Sequence, residues 1–374
     1  MNKAEWRRQA GKWGAGLLAA GLLLGGGVLP AGEAQAAAAK TKVQSGASAK
    51  AVSSKVVLKV NGAVSAHTGL YREGRVWVPV AFIRDSLKKP VSYDKKEEAY
   101  LIGSGSSKVK VTDMSYGIAV SVNNVYLPGY NGKMVDNRLY LPLEVLTDYL
   151  GYKGDWSAST GRLNVVVKPQ NKLTVTTVSY NDESAAASIK LDYPQISGLS
   201  NAAVQNKINA VLKDTMASSL KGIREDLSKR SDEERQYLYE NGYLVTYNQD
   251  GVLSLIVNRY IDMGGAHGMT FREAYNFSLK DGKQLLLGDL FGANKNYKKQ
   301  LNAAIAKELK TGDWGYLGGF NGLTTEKSYY LKDGKAVVFF QLYEYTPYAA
   351  GFPEFDFTFK ELLPDGSSPF AKLK

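Results

Sequence analysis

The sequence predicts an α+β protein, in which a small, duplicated β-rich domain precedes a larger α+β domain with an antiparallel sheet and two main helices. Three observations carry this reading. A strand-rich unit recurs at an offset of 63 residues, aligning Arg75-Val-Trp-Val-Pro-Val80 with Arg138-Leu-Tyr-Leu-Pro-Leu143. Beyond residue 173, alternating apolar runs are separated by Asn, Asp and Gly turn signals. Two stretches in that half, near residues 204–227 and 297–309, instead repeat apolar side chains at helical spacing.

The N-terminal segment comes first. Lys3, Arg7, Arg8 and Lys12 precede an apolar run at residues 13–29, and Ala34-Gln35-Ala36 provides a small-x-small cleavage site. Residues 1–36 therefore read as a secretory signal peptide. Left uncleaved, the same run is the one expected attachment to a membrane. Residues 37–55 are small and polar with little to bury, and read as a flexible linker.

Residues 56–168 hold the two repeats. Each reads as strand, turn, strand, short helix, strand. Gly74 and Asn137 mark turns ahead of an aromatic and β-branched strand, and Pro79 and Pro142 then end pairing and open a helix. Val60-Asn-Gly62 recurs as Val122-Asn-Asn124, and Tyr93 aligns with Trp156. Strands near 100–102 and 163–167 close the units.

Residues 173–374 form the larger domain. Two strands, near 173–180 and 187–193, lead through Pro194 and Gly198 to Ser200, an expected N-cap for the first main helix. Strands near 243–247, 252–260 and 270–279 follow as an antiparallel meander, broken by Asn248-Gln-Asp-Gly251 and by Gly264-Gly-Ala-His-Gly268. The second helix is next. Residues 335–345 and 355–359 read as the last strands.

Composition narrows the partners. The chain has no cysteine, which removes disulfides and thiolate metal sites. Residues 37–170 contain 19 basic and 10 acidic side chains, whereas residues 171–374 contain 24 of each. An exported chain with this imbalance attracts polyanions through Coulomb forces and counterion release. Cell-wall polyanions or peptidoglycan are the expected partners, and nucleic acid is not.

Several strings resemble known families. Val60-Asn61-Gly62, Gly74-Arg75, Val78-Pro79, Arg138, Tyr140, Leu141-Pro142-Leu143, Leu150-Gly151 and Asp155-Trp156 resemble the copper amine oxidase N-terminal-like, or stalk, domain of secreted Gram-positive proteins. Copper chemistry is not expected to follow, because imidazole ligands would have to come from His67 and His267 alone. Tyr193-Pro194, the Gly264–Gly268 string, residues 285–291 and the segment from Phe340 to Gly351 resemble a second group. These are the paired domains of unknown function in lysozyme-responsive anti-sigma factor ectodomains and in the N-terminal region of a peptidoglycan deacetylase. That resemblance implies a module that binds lysozyme or peptidoglycan fragments.

The expected function is thus a secreted, envelope-associated, non-catalytic binding protein of a Gram-positive bacterium, without cofactor or metal. Its partner-binding residues are expected at Gly264, Gly265, His267, Tyr343, Glu344, Tyr345, Pro347 and Tyr348. Glycines let backbone amides approach a ligand, and tyrosines offer rigid contact area with a hydroxyl. A second aromatic group, Trp314, Tyr316, Phe320, Tyr329 and Tyr330, is a further candidate surface. The alternative is a peptidoglycan-modifying hydrolase or deacetylase-related enzyme using His267 and Glu344, with the carboxylate orienting the imidazole. The string around His267 also has a purely structural reading, as a tight connection between strands.

Overall fold

The turns of the repeat set the register of the first region. Asn61 and Gly62 (φ 50° and 86°), Glu73 and Gly74 (55° and 75°), Asn123 and Asn124 (44° and 63°), and Asp136 and Asn137 (48° and 58°) all have positive φ. Each pair forms a two-residue hairpin turn of the primed kind, whose twist matches that of its strands and which favours Asn and Gly. The same two turns therefore occur in both repeats.

The structure, a computed structural model, describes residues 54–115, 117–231 and 233–373. The signal peptide expected at 1–36 and most of the expected linker lie outside the described residues. The first region contains β1 (Ser54–Val60), β2 (Ala63–Arg72), β3 (Arg75–Pro79), α1 (Val80–Asp85), β4 (Val91–Asp94), β5 (Ala99–Ile102), β6 (Val109–Met114) and β7 (Gly117–Val122). It continues with β8 (Val125–Tyr126), β9 (Lys133–Val135), β10 (Arg138–Pro142), α2 (Leu143–Asp148), β11 (Tyr152–Ser157) and β12 (Arg162–Val167). β1 starts two residues before the expected domain boundary, because Ser54 and Lys55 pair with Tyr71 and Leu70.

Two sheets result, in the orders β11-β12-β1-β2-β3-β10-β9 and β4-β5-β6-β7-β8. The repeats meet at β3 and β10, where Val78 lies opposite its own counterpart Leu141, with Trp77 opposite Pro142 and Pro79 opposite Tyr140. The two copies are thus related by a local twofold axis at that pair. β12 returns to lie parallel to β1, with Val57 opposite Arg162. Pro79 and Pro142 are the N-cap residues of α1 and α2, one position ahead of the first turn. Phe82 and Ile83 of α1 and Val145 and Leu146 of α2 are buried against Val56, Leu58, Val78 and Leu141.

The second region contains β13 (Thr174–Glu183), β14 (Ala187–Ser197), α3 (Ala202–Leu227), β15 (Tyr237–Gln249), β16 (Val252–Asp262) and β17 (Met269–Ser278). These are followed by α4 (Leu287–Phe291), α5 (Tyr297–Thr311), β18 (Tyr329–Lys332), β19 (Lys335–Phe339), β20 (Glu354–Thr358) and α6 (Phe359–Leu362). A five-stranded sheet, β13 to β17 in sequence order, lies beside a three-stranded one, β18-β19-β20. Asn201 rather than Ser200 caps α3, accepting from the amides of Ala203 and Val204. Val204, Ile208, Leu212, Met216 and Ile223 of α3 are buried, each worth about 1.5–3 kcal/mol on transfer from water. The expected antiparallel meander is present in β15, β16 and β17, and β13 and β14 also pair antiparallel; α3 crosses between β14 and β15, which therefore run parallel.

Leu244, Ile256, Ala274, Tyr330, Val337 and Phe339 of the second region belong to the same apolar core as the repeat strands. The turn at Asn123-Asn124 touches β15 backbone to backbone, with the Tyr243 amide donating to the Asn123 carbonyl at 3.2 Å. Gly242 permits this approach: a Cβ there would stand 2.5 Å from the Asn123 oxygen and 2.8 Å from the Asn124 carbonyl carbon. No described helix is long and apolar enough to cross a membrane.

Candidate functional site

The strand expected over 335–345 ends at Phe339, and its departure builds the site. The Phe340 amide donates to the Pro353 carbonyl at 3.0 Å. Gln341 then clamps the backbone of Arg272 on β17, its Oε1 accepting from the Arg272 amide at 3.0 Å and its Nε2 donating to the Arg272 carbonyl at 2.8 Å. Two residues later Tyr343 adopts φ 63°. A bulky side chain rarely occupies this left-handed region, which costs about 1–2 kcal/mol and recurs at functional sites. The reversal turns Tyr343 toward the connection between β16 and β17.

That connection supplies His267. Its Nδ1 lies 2.8 Å from the Gly268 carbonyl and its Nε2 3.1 Å from the Tyr343 hydroxyl. A carbonyl only accepts, so the neutral ring carries its proton on Nδ1 and receives the tyrosine hydroxyl at Nε2. The Tyr348 hydroxyl donates to the same Gly268 oxygen at 3.1 Å. The His267 ring lies 4.3 Å from that of Tyr348, and Tyr343 and Tyr348 are 5.6 Å apart. Three rings thus form one cluster, with His267 exposed and both tyrosines half-buried.

The glycines serve this arrangement. The Gly264 amide donates to Asp262 at 3.1 Å, and Asp262 also pairs with Arg235 at 2.5 Å. The Gly264 hydrogen bond, aided by Arg235, holds the Asp262 carboxyl below the usual carboxylate range. Gly265 is exposed in the same loop. Gly268 is buried against Tyr260, whose ring a Cβ would strike. Tyr260 and Arg235 are supports that the sequence reading missed; the third glycine of the string was the available signal, since it marks close packing.

Other expected residues point elsewhere. Glu344 accepts from the Gln341 amide at 2.9 Å, and burial raises its carboxyl above the usual range. Its carboxylate therefore closes a local turn and does not orient His267, whose two nitrogens engage Gly268 and Tyr343. The pairing expected for an enzymatic reading is not assembled. Tyr345 packs edge-on against Phe340 at 4.8 Å and Phe320 at 5.4 Å. Pro347 is exposed and lies over Gly315. The second aromatic group divides: Tyr329 and Tyr330 are buried in β18, whereas Trp314, which rests on Phe355 at 5.7 Å, and Tyr316, whose hydroxyl accepts from the Phe320 amide, are half-buried together with Phe320 in the preceding loop.

The residues do not fit a copper centre. His67 bonds Asp85 at 3.0 Å on β2, whereas His267 bonds Tyr343 in the second region. Among the described residues no group of three or more His, Cys, Asp or Glu is placed to hold a metal ion.

Comparison with known proteins assigns three segments. Residues 59–165 match the copper amine oxidase N-terminal domain, residues 180–270 a family described as deacetylase PdaC, and residues 288–360 a protein family of unknown function, DUF3298. No curated protein matches the chain. Among solved structures, a DUF3298 family member from Bacteroides fragilis aligns at 20% identity with TM-score 0.43, covering 55% of this chain and 99% of its own. A DUF3298 family protein from Pseudomonas aeruginosa PAO1 aligns at 14% identity with TM-score 0.38, covering 52% and 94%.

Proposed function

We propose that this is an exported, non-catalytic envelope-binding protein, in which the His267, Tyr343 and Tyr348 cluster contacts peptidoglycan fragments and the basic repeat region associates with wall polyanions. The observation that carries the first part is Tyr343. A strained, half-buried tyrosine held against an exposed imidazole is costly to maintain for packing alone, and stacked rings with hydroxyl handles suit a sugar and its N-acetyl groups. The signal-like N-terminus and the relation of residues 180–270 to a deacetylase family support the envelope setting. A basic lysozyme is the weaker partner, since the chain beyond residue 36 keeps a formal excess of +9, all of it in residues 37–170 with their 19 basic and 10 acidic side chains, and long-range repulsion opposes that encounter.

Calorimetric titration of the mature chain with soluble muropeptides, and separately with lysozyme, tests this. His267→Ala and Tyr343→Ala should each weaken muropeptide binding at least tenfold, while Tyr93→Ala should not. Equal affinity across the three variants would move the contact elsewhere, and turnover of the muropeptides would refute the non-catalytic reading.

A further inference from the structure

The two faces of the seven-stranded sheet are unlike. Val56, Leu58, Leu163 and Val165 fix the inner face, because they are buried in the core. Strand alternation then places Lys55 and Lys59 of β1, Arg162 of β12, Lys153 of β11 and Arg138 of β10 on the outer face. The register groups three of them: Arg162 lies beside Val57, between the two lysines of β1, while Lys153 lies opposite Val166, four residues along β12, and Arg138 stands three strands away from β1. None of these five bases has a carboxylate partner among the described residues, whereas other bases of the region, such as Lys110 and Lys133, do.

Across the same face lies Trp77. It is 4% exposed, with the Lys133 ammonium 4.5 Å and the Arg75 guanidinium 5.8 Å from its ring centre. Its outer-face neighbours Pro79, Tyr140 and Pro142 are buried as well, so the open part of the face is at β1, β12 and β11. Both of these cations are ion-paired, Lys133 with Glu73 and Arg75 with Glu144, so the bases of this face without a carboxylate partner are the five on β1, β12, β11 and β10. Asp155 is the acidic residue that the strands themselves place on this face. β1, β12 and β11 lie about 4.8 Å apart. Arg162 falls within a Debye length, about 8–10 Å, of both Lys55 and Lys59, while Lys153 lies about 13 Å further along, opposite Val166.

We propose that the outer face of β1, β12 and β11 is a binding surface for a linear phosphodiester polymer, with phosphates on Lys55, Arg162, Lys59 and Lys153. The inference deepens the wall-association reading above and rests on it. The choice of polymer follows from the geometry: the bases are spread over three strands rather than gathered in a pocket, so they match a repeating charge and not a single anion. Lysine and arginine on an open sheet face neutralise phosphates without reading their substituents, so tolerance of different glycosyl or alanyl decorations is expected.

The test uses the mature chain and purified poly(glycerol phosphate), with affinity measured from 50 to 200 mM salt. Four phosphate contacts at a slope of about 0.7 each predict a roughly 50-fold loss over that range for the parent. Combining Lys55→Gln, Lys59→Gln, Lys153→Gln and Arg162→Gln should flatten the slope by about 3. A control combining Lys213→Gln, Lys221→Gln, Lys307→Gln and Lys360→Gln in the second region removes equal charge and should leave the slope nearly unchanged. If both sets flatten the slope alike, net charge rather than this face is responsible, and the surface assignment fails while wall association stands. If the parent does not bind the polymer, both fail. Unchanged circular dichroism of both sets confirms that the loss is not unfolding.

Discussion

Gly242→Ala tests whether the two regions stand or fall together. Gly242 sits in the middle of β15, a strand interior where glycine has no side chain to contribute. The added methyl would lie 2.5 Å from the Asn123 carbonyl oxygen and 2.8 Å from the Asn124 carbonyl carbon, both backbone atoms that no rotamer change can move. Overpacking of this kind costs about 1–3 kcal/mol. Shifting the turn away also weakens the 3.2 Å hydrogen bond from Tyr243 to Asn123, worth about 1 kcal/mol. The expected loss is therefore about 2–4 kcal/mol. Urea unfolding followed by tryptophan fluorescence reads it, because Trp77 and Trp156 lie in the repeat region and Trp314 in the second. With Leu244, Ile256 and Phe339 inside the repeat's core, one transition should move to lower urea for both regions. An unchanged midpoint, or a shift in one region alone, would refute a shared core.

Glu344→Gln should stabilise the protein at pH 7. Burial raises the carboxyl above its unfolded value, so its favourable contribution is present below about pH 4 and is lost as pH rises through the folded value. Gln keeps an acceptor for the Gln341 amide, and the difference from the parent should vanish in acid; a variant less stable at pH 7 would contradict this. Nitrogen NMR of the neutral His267 ring should show the proton on Nδ1, in the parent and in Tyr343→Phe, because the Gly268 carbonyl sets it; a proton on Nε2 would overturn the assignment. Tyr343→Phe should cost less than about 1 kcal/mol in a denaturant titration, since its bond to His267 is solvent-accessible. N-terminal sequencing of the exported protein should begin at Ala37, and a start within the apolar run would contradict the cleavage reading.

Much of the local structure was legible in residues 54–373. Asn61-Gly62 and Asp136-Asn137 announce turns because positive φ strains most other side chains, and Val204, Ile208 and Leu212 announce a helix because helical spacing puts them on one face. The site was legible only as a pair of unusual strings. His267 and Tyr343 both stand in these strings, yet Glu344, adjacent to Tyr343 in sequence, turns the other way. The left-handed backbone at Tyr343 decides which side chain reaches the histidine, and tyrosine at that position carries no signal of it.

By itself the sequence determined turns, alternation and the asymmetry of charge, since each depends on residues a few positions apart. Only the tertiary structure decided that Val78 faces its own copy Leu141, that β12 returns to β1, and that Lys55, Lys59, Arg162 and Lys153 share one face. Strand pairing is a competition among distant partners of similar local propensity, and burial of a common core, not any single string, selects the winner.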